Sequence, residues 1–213
     1  MSDGRRAGLL AVVIAALGLA LAAYYLPWVT HPTAGFTMNG FDLAEWTSLH
    51  PASRSSSPPM LTPFLLRAPQ VAVAAGLALA AGVASDPRWR AAGWAAALIV
   101  ALRIIPPAEF WQSARGDPNY RQMALLTGAG LGGVALAAFA RLRGRLWLVA
   151  LVIVLGIGAL AGWAGLSRAG VLLDNFEIGV RTGAGPALYT LAAVVAGLAA
   201  GLHTRRPGNK KGD

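Results

Sequence analysis

The sequence has little charge and no cysteine. Of its 213 residues only 13% are charged, which is about half the share usual in a soluble domain, whereas 56% are hydrophobic and the mean hydropathy is +0.55. The absence of cysteine excludes disulfides, thiolate chemistry and cysteine-ligated metals. The apolar residues form long runs instead of amphipathic stripes. The composition therefore predicts an integral membrane protein.

Six apolar stretches suggest membrane helices, because a bilayer core needs roughly 20 apolar residues per helix and about 17 at the short limit. We predict an all-α, polytopic fold: one membrane domain over residues 1–213, built as a six-helix bundle of three hairpins. The predicted spans are about 8–28, 65–84, 91–106, 122–140, 146–166 and 186–202. The first could instead be a signal peptide, but its apolar run exceeds the usual length of roughly 7–15 residues, which favours an uncleaved helix.

The basic residues predict the orientation. With the N-terminus inside, the short inner segments carry eleven of the eighteen basic residues, including Arg141 and the tail from Arg205 to Lys211. The charge of +9 then reports orientation and attraction to anionic headgroups rather than nucleic-acid binding. Sixteen of the eighteen basic residues are arginine, which suggests a GC-rich bacterial genome. We expect a multi-pass protein of the bacterial inner membrane with both termini in the cytoplasm.

Aromatic residues suggest two interfacial belts, since amphipathic rings favour the headgroup level. The outer belt is predicted to contain Tyr24, Tyr25, Trp28, Trp111, Tyr120, Trp163 and Tyr189. The inner belt is predicted to contain Trp89, Trp94 and Trp147.

The outer connections, about 29–62, 107–121 and 167–185, are longer than the inner turns, and long loops in compact folds are commonly functional or disordered. The first contains NGFDLAEWTSLHP, where Asn39 can cap a helix with Asp42 at its third position. Leu43, Trp46 and His50 recur at intervals of three and four, and Phe41 and Leu49 flank that stripe, as in a short helix on a membrane interface. Asp42 and Glu45 then act as a cap and a solvated face.

The alternative interpretation of this stretch is a protein contact, in which aromatic side chains anchor a partner and the acids meet its basic groups. A second acidic segment lies in the third outer connection. The candidate partner-contact residues are Phe41, Asp42, Glu45, Trp46, His50, Asp174, Glu177 and Arg181.

The predicted spans are almost free of ionisable residues, which in membranes usually mark a functional site. Arg103, in the outer third of the third span, and Arg67, near the start of the second, are the intramembrane or interfacial charges. The side chains of both are expected to extend toward the interface, and this expectation is stronger for Arg67. The alternative is an ion pair with an outer carboxylate, for which the candidates are Glu109, Asp42, Asp174 and Glu177.

Three GxxxG motifs suggest close helix packing, because small residues four apart lie on one helix face. They are Gly128/Gly132, Gly158/Gly162 and Gly197/Gly201. At least one of them is expected to serve packing within the bundle.

No haem, cysteine-metal or nucleotide motif is present, so no cofactor is predicted. His31 and His50 lie in the first outer loop and His203 on the opposite side, which disfavours a haem between helices. The spacing of the loop histidines and acids matches no metal motif. Ser167 lacks the glycine of a nucleophile elbow, and the two TGAG stretches lack the lysine of a P-loop.

Three functions remain. The first is a non-catalytic membrane subunit that scaffolds or stabilises a larger complex through its helix faces and outer loops, with membrane lipids and other membrane proteins as partners. The second is a small transporter or permease-like subunit for an apolar or lipidic substrate, with Pro63 and Pro69 bracketing an irregular helix start. The third is a membrane enzyme using Arg103 with Glu109 or Asp174. We favour the first.

Overall fold

The computed structural model describes residues 3–33, 35–140 and 142–204, so Arg141 and the predicted basic tail lie outside the described residues. Within these ranges the chain is mostly helical. The helices are α1 (Asp3–Tyr24), α2 (Gly40–Leu49), α3 (Pro51–Arg54), α4 (Leu61–Val83), α5 (Pro87–Leu102), α6 (Ala108–Gln112), α7 (Pro118–Ala140), α8 (Gly144–Asp174) and α9 (Gly185–Thr204). The strands are β1 (Pro27–Thr30), β2 (Thr37–Asn39) and β3 (Arg181–Thr182).

Five helices within the described ranges are long and apolar enough to cross a membrane: α1, α4, α7, α8 and α9. This is the signature of an all-α, multi-pass membrane protein. The predicted count of six spans is not confirmed. The predicted third span, 91–106, corresponds to α5, which has 16 residues and is therefore about 24 Å long against a core of about 30 Å.

The predicted ends of two helices need correction. Helix α8 runs to Asp174, eight residues beyond its predicted end at 166, so the first part of the predicted third outer loop is helical. Helix α1 ends at Tyr24 instead of 28, because the chain enters strand β1 at Pro27. Both differences arise where outer segments pack on the bundle, which local sequence patterns do not report.

Helix α4 lies at the centre of the bundle. It packs against α1, α2, α5, α7 and α8. Of its most apolar stretch 72% is buried inside the protein, whereas the corresponding share is 28–39% in the other four long helices. The other long helices therefore leave much of their surface for lipid. A helix surrounded by protein is the one place where polar side chains avoid hydrocarbon.

The predicted three-hairpin arrangement is not confirmed. Helices α4 and α5 do pack together across the short turn 84–86. Helix α8, however, packs mainly against α4 and α9 instead of against the preceding α7. The first and last long helices, α1 and α9, form another large contact. Chain proximity through short turns thus does not decide the neighbours here.

The two ends of the bundle differ. At one end, which we call the α2 end (residues 25–62, 103–120 and 170–186), three strands form an antiparallel sheet in the order β2-β1-β3. This sheet, absent from the prediction, links the first and third outer connections. The opposite end, which we call the Trp147 end (residues 3–8, 82–90, 142–148 and 201–204), consists of helix termini and turns.

Several aromatic residues predicted for the interfacial belts are instead part of the core. They are Tyr24, Trp28, Trp147 and Tyr189, each at most 1% exposed. Trp28 donates its indole N–H to the Ala23 carbonyl at 3.2 Å, and Trp147 donates to the Leu79 carbonyl at 2.8 Å. A buried indole with its N–H satisfied contributes apolar area without a desolvation penalty, which favours the core over the headgroup level. Trp89 and Trp111 do lie exposed.

The GxxxG motifs differ in their surroundings. A Cβ added at Gly158 would lie 2.6 Å from the Cβ of Ala72 in α4, and one added at Gly162 would lie 2.8 Å from the Trp28 ring. A Cβ at either position would therefore force its neighbour to shift where α8 meets α4. At Gly128, Gly132 and Gly201 an added Cβ would meet nothing within 4 Å, and at Gly197 it would make ordinary contact with Val152.

Candidate functional site: a buried arginine beneath helix α2

The site begins with the capped helix α2. The Asn39 side chain accepts a hydrogen bond from the backbone N–H of Asp42 at 2.9 Å and donates to the Asp42 carboxylate at 2.7 Å. The predicted cap is therefore confirmed. His50 ends the helix, and its Nδ1 accepts from the N–H of Ala52 at 3.1 Å, which caps α3. The cap fixes the start of α2, and with it the direction of the residues that follow.

The buried face of helix α2 only partly matches the predicted one: Leu43 and His50 are buried as predicted. Leu43, Ala44, Thr47 and Ser48 are buried, whereas Leu49, predicted to flank the apolar stripe, is 72% exposed. Thr47 and Ser48 tolerate burial because each hydroxyl donates to a backbone carbonyl three residues earlier. The helix is thus rotated so that Glu45 reaches inward at the edge of the contact.

Arg67 of α4 lies directly beneath α2. Its side chain is fully buried, so the prediction that it extends to the interface is wrong. Its Nη2 donates to the Glu45 carboxylate at 2.7 Å, and its Nη1 donates to the side-chain oxygens of Asn119 at 2.8 Å and Gln122 at 3.1 Å. The predicted alternative, an ion pair, is formed, but with an acid that the prediction placed on the solvated face.

The cluster joins three elements. Glu45 belongs to α2, Arg67 to α4, and Asn119 and Gln122 to the first two turns of α7. Gln122 also donates to the Met60 carbonyl at 2.6 Å, just before α4 begins. A charge removed from water is tolerated only when it is paired and hydrogen-bonded, and here one guanidinium meets three acceptors. The cluster is therefore a cross-link that fixes α2 and α7 to the central helix.

The buried polar atoms without a hydrogen-bond partner within the described chain include the Nε of Arg67 and the hydroxyl of Tyr24. Tyr24 lies within electrostatic range of both Arg67 and Glu45. One layer deeper, the fully buried Gln70 donates to the Val100 carbonyl at 3.0 Å and accepts from the Tyr25 hydroxyl at 3.4 Å. The polar region thus continues from α2 about one helical turn into the bundle.

Arg103 behaves differently from Arg67. It is exposed at the end of α5, and its guanidinium carbon lies 4.8 Å from the centre of the Phe41 ring, a cation–π contact. Ion pairs among the described residues join only Arg67 to Glu45 and Arg54 to Asp117. Arg103 therefore pairs with none of the carboxylates considered for it, and Phe41 is its observed neighbour.

A second contact joins the two segments predicted to form a partner surface. The rings of Trp46, His50 and Phe176 pack together, with centroids 4.9–5.9 Å apart. Phe176 follows α8, so α2 is tied to the third outer connection. Asp174, Glu177 and Arg181 remain exposed beside this cluster. The structure thus brings the two predicted segments together.

The ion pair between Arg54 and Asp117 closes the edge of the same end. Its nitrogen–oxygen distance is 3.1 Å. Partial burial acts to raise the pKa of Asp117. Hydrogen bonds from the Tyr120 amide, from Arg54 and from the Asn119 amide outweigh this effect, so the pKa lies below its usual range. Asp117 therefore stays ionised at neutral pH. Its ion pair with Arg54 connects the end of α3 to the start of α7, where Asn119 lies.

Three polar residues of the site were missed in the sequence: Gln70, Asn119 and Gln122. A signal was available, because Arg67 and Gln70 lie three residues apart, as do Asn119 and Gln122, and such spacing puts polar groups on one helix face.

Comparison of the chain with protein-family models, with curated proteins and with solved structures found no match.

Proposed function

We propose that this chain is a non-catalytic subunit that scaffolds or stabilises a larger membrane protein complex, with the α2 end as its contact surface. The observation that carries the proposal is the Arg67 cluster. The one cation buried in the described bundle has its charge neutralised by Glu45 and both Nη atoms hydrogen-bonded by the chain itself, so it holds helices together, and only its buried Nε keeps an unused donor.

Other buried polar groups are used in the same way. Three side chains inside the bundle donate to backbone carbonyls of neighbouring helices. They are Gln70 to Val100, Trp147 to Leu79 and Tyr189 to Pro69. Within residues 3–33, 35–140 and 142–204 no group of three His, Asp or Glu residues is placed to hold a metal ion. These features favour a structural role for the bundle interior.

The exposed part of the α2 end suits a protein partner. Leu49 and Phe176 present apolar surface with exposures of 72% and 55%. Asp42, Asp174 and Glu177 are exposed acids of the same end, and Arg181 is one of its exposed cations. Protein interfaces combine apolar and charged side chains, and the acids would select a partner with basic groups.

We further propose that the α2 end faces outward from a bacterial inner membrane and that the Trp147 end faces the cytoplasm. The described residues at the Trp147 end include Arg5, Arg6, Arg88, Arg90, Arg143 and Arg145. They lie on short segments, which is the arrangement that the positive-inside rule associates with the cytoplasmic side.

The test is purification of the full chain from its native membrane in a mild detergent, followed by mass spectrometry of the proteins that accompany it. A stoichiometric partner is expected with the wild-type chain. Leu49→Arg should reduce recovery of that partner at least about tenfold, since a charge in the apolar centre of an interface costs several kcal/mol.

The matched control is Leu146→Arg at the Trp147 end, where the leucine is 68% exposed and should not affect the partner. A wild-type protein that purifies alone would overturn the proposal. Equal loss of the partner in both variants would overturn the assignment of the contact to the α2 end.

The alternative remains a small transporter or permease-like subunit for an apolar or lipidic substrate. Transporters usually bind substrate at a discontinuous helix, and Pro63 and Pro69 were the residues expected to mark one. Both lie inside α4, which continues unbroken from Leu61 to Val83. Transport of a lipidic substrate by the purified chain in liposomes would favour this alternative.

A further inference from the structure

The Trp147 end contains a basic pocket of about 380 Å³. It lies where the start of α1, the turn between α4 and α5, the start of α8 and the end of α9 meet. Its basic lining residues are Arg6, Arg90, Arg143 and His203. No Asp or Glu is among the described residues that line it. The pocket therefore concentrates positive charge without an internal counter-ion.

The cations of this pocket are available to a ligand. Arg6 and Arg143 are exposed, and neither is in an ion pair within the described chain. Arg90 is held in place because its Nε and Nη2 donate to the Ala84 carbonyl at 3.2 and 2.6 Å. That hydrogen bonding leaves the charge uncompensated. The arrangement contrasts with Arg67, whose charge is met by Glu45.

The base of the pocket is ordered by Trp147 and His203. Their ring centroids lie 5.6 Å apart, and the Trp147 indole is anchored on the Leu79 carbonyl. His203 Nδ1–H donates to the Arg6 carbonyl at 3.1 Å, which ties the end of α9 to the start of α1. The arginines are thus presented by helix ends that are fixed relative to one another.

An apolar groove of about 1440 Å³ opens directly from this pocket, between α8 and α9. Gly144 and Thr204 line both, so the pocket and the groove are continuous. The groove follows α8 from Gly144 to Leu160, about 24 Å at 1.5 Å per residue, which exceeds the half-thickness of about 15 Å of a bilayer core. Small residues, including Gly156, Ala193, Gly197 and Gly201, alternate in its walls with leucine and valine side chains.

We propose that the Trp147 end binds one anionic phospholipid of the bilayer, with its phosphate between Arg6, Arg90 and Arg143 and one acyl chain in the groove between α8 and α9. Basic pockets between membrane helices at the cytoplasmic side are suited to anionic headgroups. Arg145, at the start of the groove, adds a further cation at the same level. This proposal rests on the proposed orientation and not on the proposed subunit role.

Charge argues against a second copy of the chain as the occupant of the groove. Copies insert in the same orientation, so a second bundle would bring its own arginines to the level of Arg6, Arg143 and Arg145. Like charges brought together at the same level of the membrane repel. A lipid phosphate brings the opposite charge at that level, and its acyl chain matches the apolar part that follows.

The test uses the full chain, delipidated in a neutral detergent and titrated in native mass spectrometry with phosphatidylglycerol or with phosphatidylcholine of identical acyl chains. We expect one tightly bound phosphatidylglycerol with at least about tenfold preference over phosphatidylcholine. Arg143→Gln should weaken that binding about fivefold, since one arginine near anionic lipid contributes on the order of 1 kcal/mol. Arg88→Gln, an exposed arginine at the same end but outside the pocket, should change it less than about twofold.

The groove is tested with Gly201→Leu, whose added side chain projects into open space and fills part of the groove. We expect loss of the tight phosphatidylglycerol, whereas Gly128→Leu, equally open but on α7, should retain it. Equal binding of the two lipids, or equal effects of Arg143→Gln and Arg88→Gln, would overturn the headgroup assignment. Unchanged lipid binding in Gly201→Leu, or a change only in oligomeric state, would overturn the groove assignment.

Discussion

Two arginine sites at opposite ends of this bundle have opposite environments. At the α2 end, Arg67 is fully buried and donates to Glu45, Asn119 and Gln122. At the Trp147 end, Arg6 and Arg143 are exposed around a pocket without a described acid. The same cation therefore serves as an internal cross-link in one region and as an available charge in the other.

The distribution of acids explains this difference. Six of the nine acids of the sequence belong to the α2 end: Asp42, Glu45, Glu109, Asp117, Asp174 and Glu177. A buried arginine needs a carboxylate within reach, because the desolvation cost of an unpaired charge exceeds what neutral hydrogen bonds return. An arginine without a carboxylate in reach stays at the surface, where anionic lipid can compensate it. Arg67 is thus closed off beneath α2, whereas the arginines of the Trp147 pocket stay open to the membrane.

The largest expected effect comes from breaking the Arg67 pair. Glu45→Leu should lower the free energy of unfolding by about 3 kcal/mol, the low end for a broken buried pair, because Glu45 is 38% exposed and its charge is partly solvated. The measurement is unfolding in mixed micelles followed by tryptophan fluorescence. Adding Arg67→Met to Glu45→Leu should restore part of the loss, since it removes the unpaired cation.

The matched control is Glu109→Gln, an exposed acid at the same end, which should change the free energy of unfolding by less than about 0.5 kcal/mol. Equal effects of Glu45→Leu and Glu109→Gln on the free energy of unfolding would contradict the conclusion that the Arg67 cluster is a buried cross-link.

A smaller effect should distinguish the packed and open glycines of the GxxxG motifs. Gly162→Ala would place its Cβ 2.8 Å from the buried Trp28 ring and 3.1 Å from Pro69, and should cost about 1–2 kcal/mol of unfolding free energy. Gly201→Ala meets nothing within 4 Å and should be neutral or stabilising by up to about 1 kcal/mol, because alanine favours helix. Equal stability of the two variants in the same unfolding assay would contradict the packing described for α8 against α4.

The smallest expected effect is acid dependence from Asp117. Its pKa in the folded protein is below its unfolded value of about 3.9, so the interaction stabilises the fold above that pH and is lost as the pH falls through the lower, folded value. Arg54→Gln should therefore cost less than about 1 kcal/mol at neutral pH, with the difference from wild type shrinking below about pH 4. Arg88→Gln should show no such pH-dependent difference, and a constant cost of Arg54→Gln across this range would be inconsistent with the pair.

The local features of the α2 end were predictable from sequence. The Asn39 cap and the short helix after it depend on residues within a few positions of each other, so the pattern alone indicates them. The membrane class was equally predictable, since it depends on composition and run length.

The burial of Arg67 was not predictable in this way. It depends on α4 being the helix surrounded by others, and nothing in the sequence of α4 states which neighbours it acquires. The same holds for Trp28 and Tyr189, whose rings suit an interface or a core equally well until the contacts are known. The sheet that joins β1 to β3 pairs residues about 150 positions apart, beyond any local pattern.

The contrast between the two ends is tested most directly by chemical modification of arginine. The delipidated full chain would be treated with phenylglyoxal in neutral detergent, and the modified residues identified by mass spectrometry. We expect rapid modification of Arg143 and Arg6, and protection of Arg67 until the protein is unfolded. Modification of Arg67 in the folded protein at the rate of Arg143 would contradict the closed site beneath α2.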